Sequence, residues 1–283
     1  MSSVIELVTA KYAAIKRTVK PLLRNKTDVR FLCYHSVIAG SKIPEITHTP
    51  TVTEETFKKH MEIIKELNLE VLSMDKALNI LHNGEVTNKT HVCITFDDGY
   101  IDNWEVAWPI LRQYGYPAHF FITTDWIGGK KIVEKFGKKI EADCMGKPEL
   151  AKIIEQGGTI GSHSLSHLHL SKEKPDRVFT ELKESRNILE KLVEKPIKTF
   201  SYPYSDYDSR VLKMLGNTGY DYAFTLDIRP LKRISGKERF KVSRVAIKEN
   251  ESAQRVGIKL LGGYDWAFYY TKIKRRAGII LRK

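Results

Sequence analysis

His91-Val92-Cys93-Ile94-Thr95-Phe96-Asp97-Asp98-Gly99-Tyr100 is a short apolar run that ends on two adjacent carboxylates and a glycine. Its first six residues are mostly β-branched or aromatic, the composition of a strand. Asp-Asp-Gly alone reads most simply as a turn. Two neighbouring acids at a strand end repel each other, however, unless a cation or a shared proton keeps them there. Further along, Gly161-Ser162-His163-Ser164-Leu165-Ser166-His167 sets two histidines four residues apart, directly after the strand-like Thr159–Ser162. That spacing predicts one helical turn with both imidazoles on the same face. A carboxylate and two imidazoles form a donor set for a hydrolytic metal that keeps one position open. The other carboxylate is then free to act as a base.

Strands alternate with helices outward from these segments. Strands are expected at Arg30–Tyr34, Glu70–Ser73, His91–Phe96, Ala118–Thr123, Thr159–Ser162, Lys198–Tyr202, Tyr222–Thr225 and Lys241–Ile247. Phe57, Met61, Ile64 and Leu67 recur at helical spacing behind a Thr53 cap. Val178, Leu182, Ser185, Ile188, Leu189 and Leu192 mark a second amphipathic helix opened by Pro175 and Asp176. Such alternation predicts a parallel sheet covered by helices, with the active site at the carboxyl ends of the strands. His35, Asp97, Asp98, His163, His167 and Tyr204 all fall at or just after expected strand ends. Gly128 to Lys147 reads as an exposed loop bordering the cleft.

The two motifs, in this order, resemble the first two of the polysaccharide deacetylases, carbohydrate esterase family four. Phe200-Ser201-Tyr202-Pro203-Tyr204 is similar to the third motif, and Arg244-Val245-Ala246-Ile247 to the late strand. Phe31-Leu32-Cys33-Tyr34-His35-Ser36 resembles the amino-terminal Tyr-His motif of the rearranged subgroup that contains poly-N-acetylglucosamine deacetylases. The resemblance spans about residues 30 to 247. It implies a distorted (β/α) barrel and hydrolysis of the N-acetyl group of a sugar. It implies Asp98, His163 and His167 as ligands of one divalent metal, with zinc the first choice and cobalt, nickel or manganese as alternatives. It implies Asp97 as general base, His35 as general acid and the Tyr204 backbone N–H as a donor to the developing oxyanion. His169, out of phase with the pair, is expected at the surface.

There are departures from the pattern. Many members carry an arginine two residues before the third-motif proline, where it orients the base; this chain has Ser201, and in the Tyr-His subgroup, where this arginine is often absent, the resemblance leaves the restraint of Asp97 to another residue. The late-motif histidine is missing, since Ile247 is followed by Lys248, Glu249 and Asn250. Ser205 stands where a glycine is common. The same fold family includes hydrolases of cyclic amides and ureides, which are the alternative reading together with a carbohydrate-binding relic.

A length of 283 residues suits one barrel. No apolar run reaches the roughly 18 residues that a spanning helix needs. Cys33, Cys93 and Cys144 form no close pair, which fits a reducing compartment rather than a disulfide framework. With no leader pattern in the first residues, the expected location is the cytoplasm. The net charge of +13 is concentrated at the ends. Residues 1–30 hold seven basic residues against two acids, and residues 272–283 hold six against none, which leaves a body of only about +2. A near-neutral body argues against a nucleic-acid groove, whereas basic ends suit an anionic membrane surface. The expected organisation is a basic amphipathic helix over 1–29, a catalytic domain over 30–250 and a basic aromatic extension over 251–283. Without export, the expected substrate is a lipid-linked or nucleotide-linked N-acetylated saccharide.

Overall fold

The computed structural model describes residues 28–85, 90–227, 229, 231, 233–249 and 251–265. Its strands are β1 (Val29–Tyr34), β2 (Ser36–Ile38), β3 (Thr51–Thr53), β4 (Glu70–Val71), β5 (His91–Phe96) and β6 (Ala118–Ile122). There follow β7 (Lys130–Lys135), β8 (Lys138–Asp143), β9 (Thr159–Ser162), β10 (Thr199–Ser201), β11 (Tyr222–Thr225) and β12 (Val242–Ala246). The α-helices are α1 (Glu54–Glu66), α2 (Met74–Asn83), α3 (Trp108–Gln113), α4 (Lys147–Glu155), α5 (Pro175–Val193), α6 (Ser209–Thr218) and α7 (Ala253–Leu260).

Seven parallel strands close into a barrel in the order β1-β12-β11-β10-β9-β6-β5, and β5 returns to β1. The short β4 pairs with the first two residues of β5. All eight expected strands are present, three with the expected bounds, four trimmed by one or two residues and β1 longer by one residue. Thr53 caps α1 as expected, its hydroxyl accepting from the Thr56 N–H at 3.1 Å.

Parity along the strands divides the molecule into two cores. In β5, Val92, Ile94 and Phe96 pack outward under the helices. Cys93 faces inward and joins Phe31, Phe121, Phe224 and Val242 inside the barrel, with α2 residues such as Leu78 and Leu81 in the same cluster. Asp97 continues the inward phase of Cys93 and Thr95. Gly161 in β9 has no side chain where one would collide: a Cβ there would lie 2.6 Å from His119 Nε2.

Three expectations change. The stretch Gly128 to Lys147 is not a plain loop: β7 and β8 form an antiparallel hairpin. Its turn residues Phe136 and Gly137 both have positive φ, 51° and 70°, as a two-residue hairpin turn requires. Its alternation was hidden because lysines occupy the inward positions. Secondly, the histidine pair is not on a helical turn. His163 to His167 is irregular, with Ser164 and His167 at φ 68° and 60°. Thirdly, the boundary at residue 250 does not separate an extension. Helix α7 adds Val256 and Leu260 to the outer core. The His60 ring of α1 bonds the Glu251 carbonyl at 2.8 Å, and Arg30 forms a two-bond ion pair with Asp265 at 2.7 and 2.6 Å. The amphipathic helix expected over 1–29, apart from its last two residues, and the aromatic basic segment beginning at Trp266 lie outside the described residues.

Candidate metal centre and active site

Asp97 follows β5 directly, and its N–H bonds the Tyr34 carbonyl at 2.9 Å, which extends the β1–β5 ladder to the rim. Its carboxylate turns into the barrel and meets Arg244 of β12 in a two-bond pair, at 2.6 and 2.7 Å. Ser201 Oγ donates to the same carboxylate at 3.1 Å. Arg244 also reaches Thr95 Oγ1 and Ser201 Oγ, at 3.1 and 2.7 Å, and its guanidinium lies 5.0 Å from the Phe121 ring centre. Burial pushes the Asp97 pKa up, but the charge and hydrogen bonds of Arg244 outweigh it and hold the carboxyl well below the usual carboxylate range.

Asp98 turns the other way, with φ at 77°. Its Oδ1 lies 3.4 Å from His163 Nε2 and 3.1 Å from His167 Nε2. This oxygen is buried and has no hydrogen-bond partner. Its Oδ2 accepts from the Tyr100 hydroxyl at 2.7 Å and from Lys131 Nζ at 3.3 Å. Burial raises the Asp98 pKa, and the Lys131 charge with the two histidines brings it well below normal. His163 sits one residue past β9. Its Nδ1 is 2.8 Å from the Ser201 carbonyl, which fixes the proton on Nδ1 and leaves the Nε2 lone pair facing Asp98. His167 is wedged between Trp126 and Tyr204, with ring centres 5.1 and 4.7 Å away.

Donor atoms of Asp98, His163 and His167 all lie within 4.8 Å of one another. An orphaned carboxylate oxygen and two imidazole lone pairs pointed at one spot fit a divalent cation. Cys33, His35 and Asp97 form a second group of that size. It fits less well, since Asp97 is already held by Arg244 and burial pushes the Cys33 thiol well up.

His35 follows β1 on the same rim. Its Nδ1 is buried without a partner, and its carbonyl accepts from Asn103 Nδ2 at 2.6 Å. Burial lowers its pKa, opposed only in part by Asp98 and Asp97. His35, Asp97, Asp98, His163, His167 and Tyr204 all line one cavity of about 520 Å³. Tyr204 is 58% exposed at its edge, and its backbone is left-handed, φ 57°. His169 stacks on the Tyr204 ring at 3.9 Å and remains near the surface. Of the aromatic residues near the motifs, Tyr202 and Tyr204 line the cavity, whereas Trp104 packs against the outer core.

A family model described as polysaccharide deacetylase matches residues 84–223, which contain the paired aspartates and both histidines. Residues 84–223 form a polysaccharide deacetylase domain. A poly-β-1,6-N-acetyl-D-glucosamine N-deacetylase of Staphylococcus epidermidis is 23% identical over 239 residues, 81% of this chain and 78% of the relative. The Streptococcus pyogenes deacetylase PplD, solved with acetate, superposes with a TM-score of 0.68 at 23% identity, over 82% of this chain and 97% of that one. IcaB from Ammonifex degensii gives 0.68 at 18% identity, over 83% and 98%. The domain is thus that of a polysaccharide deacetylase, a hydrolase acting on carbon–nitrogen bonds.

Set against the deacetylase pattern, the missing third-motif arginine is explained in space. Arg244 comes to the same carboxylate from β12, two strands along the barrel from β10, and Ser201 completes the contact instead of competing with it. Glu181 of α5 also escaped sequence reading. Fully buried, it accepts from the Leu165 and Ser166 N–H groups at 3.0 and 2.9 Å and from Ser166 Oγ at 2.5 Å. It thereby holds the loop between the two histidines. The available signal was an acid on the apolar stripe of Val178, Leu182 and Ser185. For Arg244 it was a lone cation at an inward position of an apolar strand. Lys131 and Tyr100 carried no signal, because only the hairpin brings Lys131 to Asp98.

Proposed function

We propose that this deacetylase acts on an N-acetylhexosamine with Asp98, His163 and His167 holding one zinc ion, Asp97 as base and His35 as acid. The supporting observation is the division between two adjacent carboxylates of equal burial. One is saturated by Arg244 and Ser201; the other keeps an oxygen free beside two imidazoles. A divalent ion bound there supplies a lowered water pKa and polarises the acetyl carbonyl. Asp97 stays charged and accepts the proton of the attacking water, its edge fixed by Arg244 and Ser201. Burial lowers the His35 pKa. A lowered pKa then makes it the readier donor to the departing amine. The Tyr204 N–H serves the developing oxyanion.

For the substrate we propose a phosphate-linked saccharide, lipid-linked or nucleotide-linked. Lys135 and Lys248 line the cavity together with Lys131 and suit an anionic group beside the sugar. The basic ends suit action at the cytoplasmic face of an anionic membrane. The alternative substrate is the β-1,6-linked N-acetylglucosamine polymer named for the Staphylococcus epidermidis relative.

The test is acetate release from lipid-linked, nucleotide-linked and polymeric N-acetylhexosamines, with and without chelator. Chelation is expected to abolish activity and added zinc to restore it. His35→Ala is expected to slow turnover by about a hundredfold or more. Activity on the polymer alone would refute the phosphate-linked substrate, and activity that survives complete metal removal would refute the mechanism. Sedimentation with anionic against neutral vesicles tests the membrane reading, which fails if neither kind binds.

A further inference from the structure

The hairpin β7–β8 is rooted beside the paired aspartates. The Met145 N–H bonds the Gly99 carbonyl at 2.9 Å, and Cys144 bonds Gly129 at 3.0 Å. From this root Lys131, Val133 and Lys135 face the cavity, whereas Lys130, Ile132 and Glu134 are exposed. Lys131 is the inward residue nearest the root. Its side chain is 12% exposed; Nζ lies 2.7 Å from the Tyr100 hydroxyl and 3.3 Å from Asp98 Oδ2. The ammonium also lies 4.6 Å from the ring centre of Trp126, which packs on His167. An ammonium cannot accept a hydrogen bond. Lys131 therefore donates to the Tyr100 oxygen, and the Tyr100 proton goes to Asp98 Oδ2. The direction of this chain is fixed.

Both consequences fall on Asp98. Oδ2 is occupied, so only Oδ1 faces the two imidazoles. The ammonium also draws on the same carboxylate that a divalent ion would use. Two cations sharing one carboxylate repel each other, and each weakens the carboxylate as a donor to the other.

We propose that Lys131 is a positioning residue that tunes the charge of Asp98: it restricts the carboxylate to one ligating oxygen and lowers the affinity of the centre for its metal in return for a more strongly acidic ion. This rests on the assignment of Asp98, His163 and His167 as metal ligands. A lysine that served only to brace the hairpin would give a different result, because its loss would leave metal binding unchanged or weakened.

The experiment is a zinc titration of the purified, chelator-stripped chain in competition with a chromophoric chelator, comparing wild type with Lys131→Met, Lys131→Gln, Lys131→Arg and Tyr100→Phe. Both neutral variants at 131 are expected to bind zinc at least about tenfold more tightly, since removing a unit charge a few ångströms from a buried centre has that scale or more. Lys131→Arg is expected to stay within about threefold of wild type, as the charge is kept. Tyr100→Phe, which loses an orienting donor, is expected to bind about tenfold more weakly. The acid limb of kcat/KM is expected to move to higher pH in Lys131→Met, because a more electron-rich ligand makes the ion a weaker Lewis acid. Lys131→Gln decides the matter should methionine unfold the chain. Unchanged or weaker zinc binding in the neutral variants, over intact wild-type binding, would overturn this inference alone. A wild-type chain that takes up no divalent ion would overturn the ligand assignment and this inference with it.

Discussion

Asp97 and Asp98 are neighbours in the chain and equally buried, each 2% exposed, yet they belong to different parts of the molecule. Asp97 belongs to the barrel: its partners Ser201 and Arg244 come from strands β10 and β12. Asp98 belongs to what surmounts the barrel: a histidine loop, Tyr100 and a hairpin lysine. A closed parallel barrel provides a fixed frame, suited to aiming a proton acceptor. Loops can gather ligands from distant positions and leave one oxygen without a partner for an exchangeable ion. The change of backbone at Asp98, from strand to a positive φ, is what hands one acid to each region.

The largest test of this contrast is to neutralise each acid separately. Asp97→Asn is expected to keep its zinc while losing about a hundredfold to ten-thousandfold in kcat. Asp98→Ala is expected to lose both zinc and activity, so elemental analysis distinguishes the two. Equal zinc content in both variants would dissolve the contrast.

Next in size is Arg244→Met, which leaves the Asp97 carboxylate buried without its partner. The expected cost is about 3–5 kcal/mol of folding stability, measured as a lower urea midpoint, with metal content per folded molecule preserved. Loss of metal without loss of stability would mean that the barrel side and the loop side are not separate.

Glu181→Gln tests the loop side from beneath. The amide cannot accept from the Leu165 and Ser166 N–H groups and from Ser166 Oγ as the carboxylate does, so the histidines lose their framing. Zinc affinity is expected to fall by about ten- to a hundredfold, with a smaller change in the urea midpoint than for Arg244→Met.

The smallest effect concerns the barrel interior beneath Asp97. His119 bonds Thr159 Oγ1 and Thr199 Oγ1 there, at 2.7 and 2.9 Å. Burial, and then the charge of Arg244, push its pKa from 6.5 down to about 3. Between those values the unfolded chain holds the extra proton. His119 therefore contributes stability that is complete above about pH 6.5 and is lost as pH falls toward about 3. The slope is at most about 1.4 kcal/mol per pH unit. Urea midpoints of His119→Asn between about pH 6.5 and about pH 4 are expected to fall less steeply than those of wild type. Identical slopes would mean that the interior tolerates a second cation beside Arg244.

Much of the frame was legible from local pattern. His91–Phe96, Thr159–Ser162 and Tyr222–Thr225 have the expected boundaries because β-branched and aromatic runs between turn residues leave little choice. The hairpin was not legible, since its inward positions carry Lys131 and Lys135, which read as solvated. The three-residue strands β2 and β3 are too short to show a period. A histidine spacing of four suggested helix, but Ser164 and His167 take left-handed backbone, and the loop rather than a helix brings the rings together.

Sequence alone determined that two acids end a buried strand, that two histidines follow another, and that strand–helix alternation must gather all four on one rim of a parallel sheet. Those conclusions follow from side-chain period and from the repulsion between adjacent carboxylates, both local properties. Tertiary structure alone decided which acid is restrained and which has a vacant oxygen. Arg244 is 147 residues from Asp97 and Lys131 is 33 from Asp98. No local preference ties either cation to its acid; closing the barrel and folding the hairpin over its rim do.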